Sequence, residues 1–366
     1  VKVLIFTASL ANPFLDAWVR AFVLAGASVV VLRLDHDALV PQVGGELAEC
    51  LVLGDSTLPS KKWQLAVEQQ LDGEPDVIFY WWGIQSLTDR RARAAWPESK
   101  VVLCVDTYPN AAFAVTELRE VIRGRRLLSD IDGYVTTSDQ MTTLLVRRFH
   151  GLADVPVFAA LSPFPLSAHA AQPASRPDRE LSFCFIGRSD YLYSSDPRMA
   201  KDRLGPWLEE FLRRGVAVHL QRPVDGRGAD QLLARGFVLY EQLPRTSILD
   251  GRFSNHIASF DANLAMYAVV NPTLRRRVAS GLSTRFANAV GAPSPVVVPP
   301  DATFARRFFE KVPIGFASNR HDEIMLRVAR DGEEMRQVWA SQHESWSADS
   351  TAQELSDFLR DVCGRS

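Results

Sequence analysis

The chain has 366 residues, more than one hydrophobic core usually organises, so two domains of roughly 170 residues each are expected. Apolar residues at 47% suffice for two ordinary cores, and 41 basic against 43 acidic side chains leave no general basic surface for nucleic acid. Cys50, Cys104, Cys184 and Cys363 stand far apart, without CxxC spacing or a disulfide framework. The run from Val1 to Phe6 lacks the layout of a signal peptide, and no stretch approaches about 18 uninterrupted apolar residues. A cytoplasmic protein is the expectation, and peripheral membrane association is compatible with it.

In chain order, Val1 to Thr7 is a buried-strand pattern, Phe14 to Leu24 an amphipathic helix and Ser28 to Leu34 a second strand. The intervening turn, from Ala8 to Pro13, holds no glycine and so does not match a dinucleotide fingerprint. Asn12 in that turn either faces a ligand or caps the helix. Strands follow at Glu49 to Leu53, Asp76 to Trp81, Lys100 to Val105, Gly133 to Thr137 and Val155 to Ala159. Helices alternate with them at Lys61 to Leu71, Leu87 to Ala95, Val115 to Leu127 and Gln140 to Phe149. Such alternation predicts a parallel sheet covered on both faces, with ligands beyond the carboxyl ends of its strands.

Between Leu161 and Arg179 the composition shifts to Ser, Pro, Ala and Gln, which marks a linker. The pattern restarts with a strand from Leu181 to Ile186 that ends in Gly187-Arg188. A helix at Trp207 to Arg213, strands at Val216 to Leu220 and Phe237 to Tyr240, a helix at Ser254 to Ser259 and a strand at Ala262 to Met266 follow. Asn271 to Leu282 reads as a polar, basic loop. Ser283 and Thr284 suit a helix start, Pro293 and Pro295 stop the helix, and Val296-Val297-Val298 is a strand buried on both faces. Helices at Asp322 to Ala329, Gly332 to Trp346 and Thr351 to Val362 close the chain.

Candidate chemistry gathers at strand ends. A strand that ends in Gly187-Arg188 lets backbone approach a ligand while a guanidinium grips phosphate. Arg285 in a first helical turn adds a cation where free backbone N–H groups favour anions. Arg245 and the run Arg275-Arg276-Arg277 add charge nearby, although at most one of those three is assigned to a ligand, and Asn271 offers a polar group. In the first half, Asp106 follows an apolar strand and is placed to grip a hydroxyl, with Tyr108 two residues on. One of Trp81 and Trp82 belongs to the core, and Trp82 is the one whose face suits a sugar ring. The triplets Asp35-His36-Asp37 and Asp130-Ile131-Asp132 read as solvated loops, His219 as a core histidine, and no motif demands a metal.

These residues carry a family likeness. Phe185-Ile186-Gly187-Arg188, the segment Phe260 to Tyr267, and the ungapped stretch Arg285 to Val297 resemble the donor domain of GT-B glycosyltransferases, most closely glycosyltransferase family 4. Against that family's Lys-Leu-Phe-Glu-Tyr-x-Ala-x-Gly-x-Pro-Val-Val, Arg285 falls on the lysine, Phe286 on the leucine, Pro295 on the proline and Val296-Val297 on the valines. Asn288 stands where the family has the glutamate that holds the nucleotide ribose, and Pro293 where it has glycine.

The resemblance implies an α/β chain of GT-B fold, two Rossmann-like domains with parallel sheets facing a central cleft. It implies an acceptor-side domain over 1–165, a linker over 166–180, a nucleotide-sugar domain over 181–350, and a C-terminal helix over 351–366 crossing back to the N-terminal domain. The implied reaction moves a hexose or deoxysugar from a UDP-, GDP- or dTDP-linked donor to a hydroxyl of a small-molecule, glycan or lipid-linked acceptor. Anomeric configuration is retained, and the donor is a co-substrate with no further cofactor or metal. Arg188 and Arg285 would neutralise the diphosphate leaving group, with Asp106 assisting. Gly187, Arg245, Asn271, Ser283, Thr284, Phe286 and Asn288 would complete the donor site, and Asn12, Trp82 and Tyr108 the acceptor side. Competing readings are a sugar-nucleotide epimerase of the same architecture and a non-catalytic ligand-binding or scaffold protein.

Overall fold

The computed structural model describes residues 1–7, 13–33, 49–52, 60–81, 83–105, 108, 114–160, 180–223, 226, 228–243, 247, 251–281, 284–346 and 349–364. The chain divides into two compact units, Val1–Pro165 with Glu344–Ser366, and Leu166–His343.

The first unit is built on seven parallel strands: β1 (Lys2–Thr7), β2 (Ser28–Arg33), β3 (Glu49–Val52), β4 (Val77–Tyr80), β5 (Lys100–Val105), β6 (Gly133–Thr136) and β7 (Val157–Ala159). They lie in the order β3-β2-β1-β4-β5-β6-β7. Every residue of β4, and all but the first of β1 and β5, is buried, which is why their apolar runs are continuous rather than alternating. On one face, Leu4, Phe6, Ile78, Tyr80 and Leu103 pack with Val67 and Leu71 of the helix Ser60–Leu71, where Trp63 meets Trp96 edge-on at 5.2 Å. On the other face, Phe79 meets Trp18 and Phe22 of the helix Pro13–Leu24.

The chain's last helix, Ala352–Gly364, belongs to this unit and lies against β7, with Phe358 at 5.9 Å from Phe158. Gly133 admits it, since a Cβ there would lie 2.8 Å from a methyl of Val362. The expected second triplet is held by ion pairs, Asp130 with Arg93 at 3.3 Å and Asp132 with Lys100 at 3.5 Å.

The second unit carries six parallel strands: β8 (Ser182–Phe185), β9 (Ala217–Gln221), β10 (Val238–Tyr240), β11 (Ala262–Leu264), β12 (Val296–Val298) and β13 (Gly315–Ala317). Their order is β10-β9-β8-β11-β12-β13. Phe183, Phe185, Val218, Leu220, Leu264, Val297 and Phe316 face the helices Gly205–Arg213 and His321–Gln342 through Leu208, Phe211, Ile324 and Val328. Several elements depart from the sequence expectations. Pro272–Ser280 is a helix rather than a loop, Thr303–Lys311 and β13 go unanticipated, and His321–Gln342 runs unbroken through Gly332. An interior glycine costs a helix only about 1 kcal/mol, less than its packing returns.

Candidate anion site at the switch of the second sheet

In the second sheet the strand order reverses between β8 and β11, and doubly wound sheets bind ligands beyond the carboxyl ends of the strands at such a reversal. The chain leaves β8 through Ile186, Gly187 and Arg188, and leaves β11 through Ala265, Met266 and Tyr267. Both exits converge on Arg285, in the first turn of the helix Thr284–Val290.

Arg285 is only 9% exposed. Its Nη1 donates to the Met266 carbonyl at 2.7 Å, and its Nη2 pairs with Asp202 Oδ1. The guanidinium lies over the Tyr267 ring at 4.3 Å and more distantly over Phe185 at 5.2 Å. Gly187 is required by this packing: a Cβ there would lie 2.7 Å from the Phe185 ring and 2.8 Å from Arg285 Cζ. The open backbone foreseen for a ligand is therefore filled by the protein's own arginine.

Asp202 ends the short 3₁₀ segment Pro197–Asp202, and its other oxygen accepts from Lys201 Nζ at 2.7 Å. Burial pushes its carboxyl up, but Arg285 and Lys201 outweigh burial and hold it below the usual carboxylate value. Burial pulls the Lys201 ammonium below its ordinary value. Asp202 opposes that fall, whereas Arg285 and Arg277 add to it. Arg275 pairs with Asp301 at 3.1 Å and Arg276 donates to Thr273, while among the described residues no carboxylate pairs with Arg277. One carboxylate thus faces two cations, Lys201 and Arg285, with the charge of Arg277 also felt at Lys201, an excess of positive charge in a partly dehydrated place. Such an excess is costly to leave unmatched and favours a bound anion.

Arg188, on the other side of Gly187, is mostly exposed, leans over Tyr191 at 4.6 Å and reaches Asp190 at 3.4 Å. Asn288 lies one turn past Arg285 in the same helix, and its Oδ1 is buried without a hydrogen-bond partner.

The remaining predicted residues have these places in the structure. Asn271 is the N-cap of Pro272–Ser280, its Oδ1 accepting from Leu274 N at 2.9 Å, so its oxygen is spent on the helix. Phe286 is a core residue, 5.8 Å from each of Phe304, Phe308 and Phe309. Tyr108 is fully buried and packs edge-on against Phe149. His219 is half-buried and packs on Phe260 at 4.6 Å. Asn12, Trp82, Asp106, Arg245 and Ser283 lie outside the described residues, as does the side chain of Thr284.

Lys201, Asp202 and Tyr267 went unassigned by sequence reasoning. The adjacent Lys201-Asp202 looks like any surface ion pair, and nothing local ties it to an arginine 83 residues on. Among the described residues, no group of His, Cys, Asp and Glu is placed to hold a metal ion, and no helix is long and apolar enough to cross a membrane.

No protein-family model matches the chain, and no curated protein matches it. Solved structures do. AviGT4, a glycosyltransferase involved in avilamycin A biosynthesis, is 14% identical with a TM-score of 0.58, covering 100% of this chain and 99% of its own. Alr3699/HepE of Anabaena, in complex with UDP, is 13% identical with a TM-score of 0.56, covering 100% and 97%. The α,α-trehalose 6-phosphate synthase of Burkholderia multivorans is 11% identical with a TM-score of 0.58, covering 100% and 99%. At such identities the likeness defines the fold. The fold is GT-B, two Rossmann-like α/β domains in one chain, as the two parallel sheets require.

Proposed function

We propose that the protein is a glycosyltransferase whose donor is a nucleoside diphosphate sugar. The observation that carries this is the pairing of the single buried carboxylate of Asp202 with two cations, Lys201 and Arg285, at the strand-order reversal of the second sheet. A diphosphate is the donor's anionic part and the group that leaves, so cations fixed in a low-dielectric site stabilise the charge that develops as the glycosidic bond breaks. Lys201 and Arg277 meet the diphosphate directly, joined by Arg188 from the end of β8. Arg285 acts beneath them, holding Met266, Tyr267 and Asp202 in place and contributing its charge through that contact.

Asn288 offers its unpartnered oxygen to a ribose hydroxyl. That HepE was solved with UDP, and also with UDP-glucose, agrees with such a donor. The family 4 likeness extends the proposal to retention of configuration, a metal-free reaction, Asp106 at the reacting sugar, Asn12 and Trp82 toward the acceptor, and a role in glycan or glycosylated-metabolite biosynthesis. The engagement of Arg285 by Asp202 and the replacement of the family glutamate by Asn288 favour a second reading, a binding protein on the same frame.

Thermal-shift measurements with UDP, GDP, dTDP and their sugars test the proposal. A ligand at 100 times its Kd stabilises the folded state by about 2.7 kcal/mol, which raises Tm by roughly 5–11 °C in a domain of this size. Lys201→Met should abolish the shift. Release of nucleoside diphosphate only in the presence of a hydroxyl acceptor identifies a transferase, conversion of donor without acceptor an epimerase, and binding without turnover the second reading. If none of the nucleotides moves Tm, the donor site proposed here is wrong.

A further inference from the structure

The helix Ala114–Leu127 of the first unit presents three distinct stripes. Its inner stripe is Glu117, Val121 and Gly124, and the Phe149 ring leaves no room for a Cβ at Gly124. Glu117 is matched within the fold by Arg148 at 3.2 Å. That face already attaches the helix to its sheet.

The outer side carries Val115, Leu118 and Ile122, which are 65%, 60% and 63% exposed. Their spacing of three and four residues aligns them in one stripe. A single exposed leucine needs no explanation, but three large aliphatic side chains in line make a continuous apolar ridge. Helical geometry sets Arg125 along one flank of this ridge and Arg119, Arg123 and Arg126 along the other. All four arginines are exposed, and among the described residues no carboxylate pairs with any of them. In a chain whose formal net charge is −2, this is a local concentration of free positive charge.

We infer that Ala114–Leu127 is an interfacial helix that seats the first unit on an anionic lipid surface. Val115, Leu118 and Ile122 enter the boundary between headgroups and acyl chains, while the arginine stems lie along it and their guanidinium groups reach lipid phosphates. The ridge is convex with cations on both flanks, the arrangement of a helix lying in the plane of a membrane. An acidic protein partner would match the charge but would leave the apolar ridge in water. The inference is independent of the reaction proposed above, because it uses neither the second unit nor any nucleotide.

Flotation of the full chain with lipid vesicles tests it. The wild type should float with vesicles of phosphatidylcholine mixed with phosphatidylglycerol, bind those of phosphatidylcholine alone far less, and release as salt rises. Leu118→Gln with Ile122→Gln should lower affinity for the mixed vesicles by roughly tenfold or more. Arg123→Gln with Arg126→Gln should lower it by roughly thirtyfold and reduce the preference for anionic lipid to what Arg119 and Arg125 supply. The substituted positions are exposed and glutamine is a good helix former, so Tm should hold in both variants. Equal binding to both vesicle types, or undiminished binding by either variant, overturns the inference. So does retention on immobilised polyglutamate that the Leu118 and Ile122 changes leave intact while vesicles fail to bind, since that marks a protein-binding surface.

Discussion

Asp202→Asn tests whether the second unit depends on the buried pair at its centre. Asparagine keeps the shape but removes the one negative charge that faces Arg285 and Lys201. The side chains of Asp202 and Arg285 are 2% and 10% exposed, so water cannot replace what is lost at the arginine, whereas Lys201, at 28%, can turn outward. Removing one partner of a buried ion pair costs about 3–5 kcal/mol. At roughly 2–4 °C of Tm per kcal/mol, the unit should melt about 6–20 °C lower, nearer the lower end if Lys201 relaxes.

Urea unfolding followed by tryptophan fluorescence reads the change, since Trp207 and Trp339 lie in this unit. The pH dependence has a defined sign. The folded carboxyl titrates below its unfolded value of 3.8, so its contribution is complete above that pH and is lost as pH falls through the folded value. The variant should lose that part of the acid limb. A loss of stability below about 1 kcal/mol would show that the pair is solvated and refute the reasoning.

Two further outcomes follow from the same unit. Gly187→Ala places a methyl group against the Phe185 ring and the Arg285 guanidinium, and should lower stability by about 1–3 kcal/mol in calorimetry, whereas an unchanged Tm would mean the strand end can shift at no cost. Burial lowers the His256 imidazole from its ordinary 6.5, so below that pH the unfolded chain binds more protons than the folded one and stability declines until the folded value is passed. Urea midpoints at about pH 7.5 and about pH 5.5 should show that decline in the wild type and a smaller one in His256→Gln, and equal slopes would assign it to other groups.

Much of the fold was legible because strands buried on both faces must be apolar throughout. Lys2–Thr7, Ser28–Arg33, Lys100–Val105 and Val296–Val298 stand where their β-branched runs predicted them. The reading failed where a signal was present but unsupported by periodicity. Asn271 followed by Pro272 is a cap and a first-turn proline, a helix start by its chemistry, yet the arginines after it obscure the apolar stripe. β13 is three residues long with no β-branched side chain, and it is a strand only because β12 offers a free edge to pair with.

The candidate site divided in the same way. Gly187, Arg188, Arg285 and Asn288 were singled out by local pattern, and the structure gathers Gly187, Arg188 and Arg285 at one strand-order reversal. Which arginine is engaged and which is free was beyond the reach of sequence. Arg285 is neutralised by Asp202 from 83 residues away, while Arg277, the third of three identical neighbours, has no carboxylate partner among the described residues and its charge is felt at Lys201. Taken alone, the sequence determined two parallel α/β sheets and the arginines that cluster at 275–277, because burial and charge are properties of residue type. Tertiary structure alone decided which charges are spent within the fold and which remain for a ligand, because that depends on contacts between residues distant in the chain.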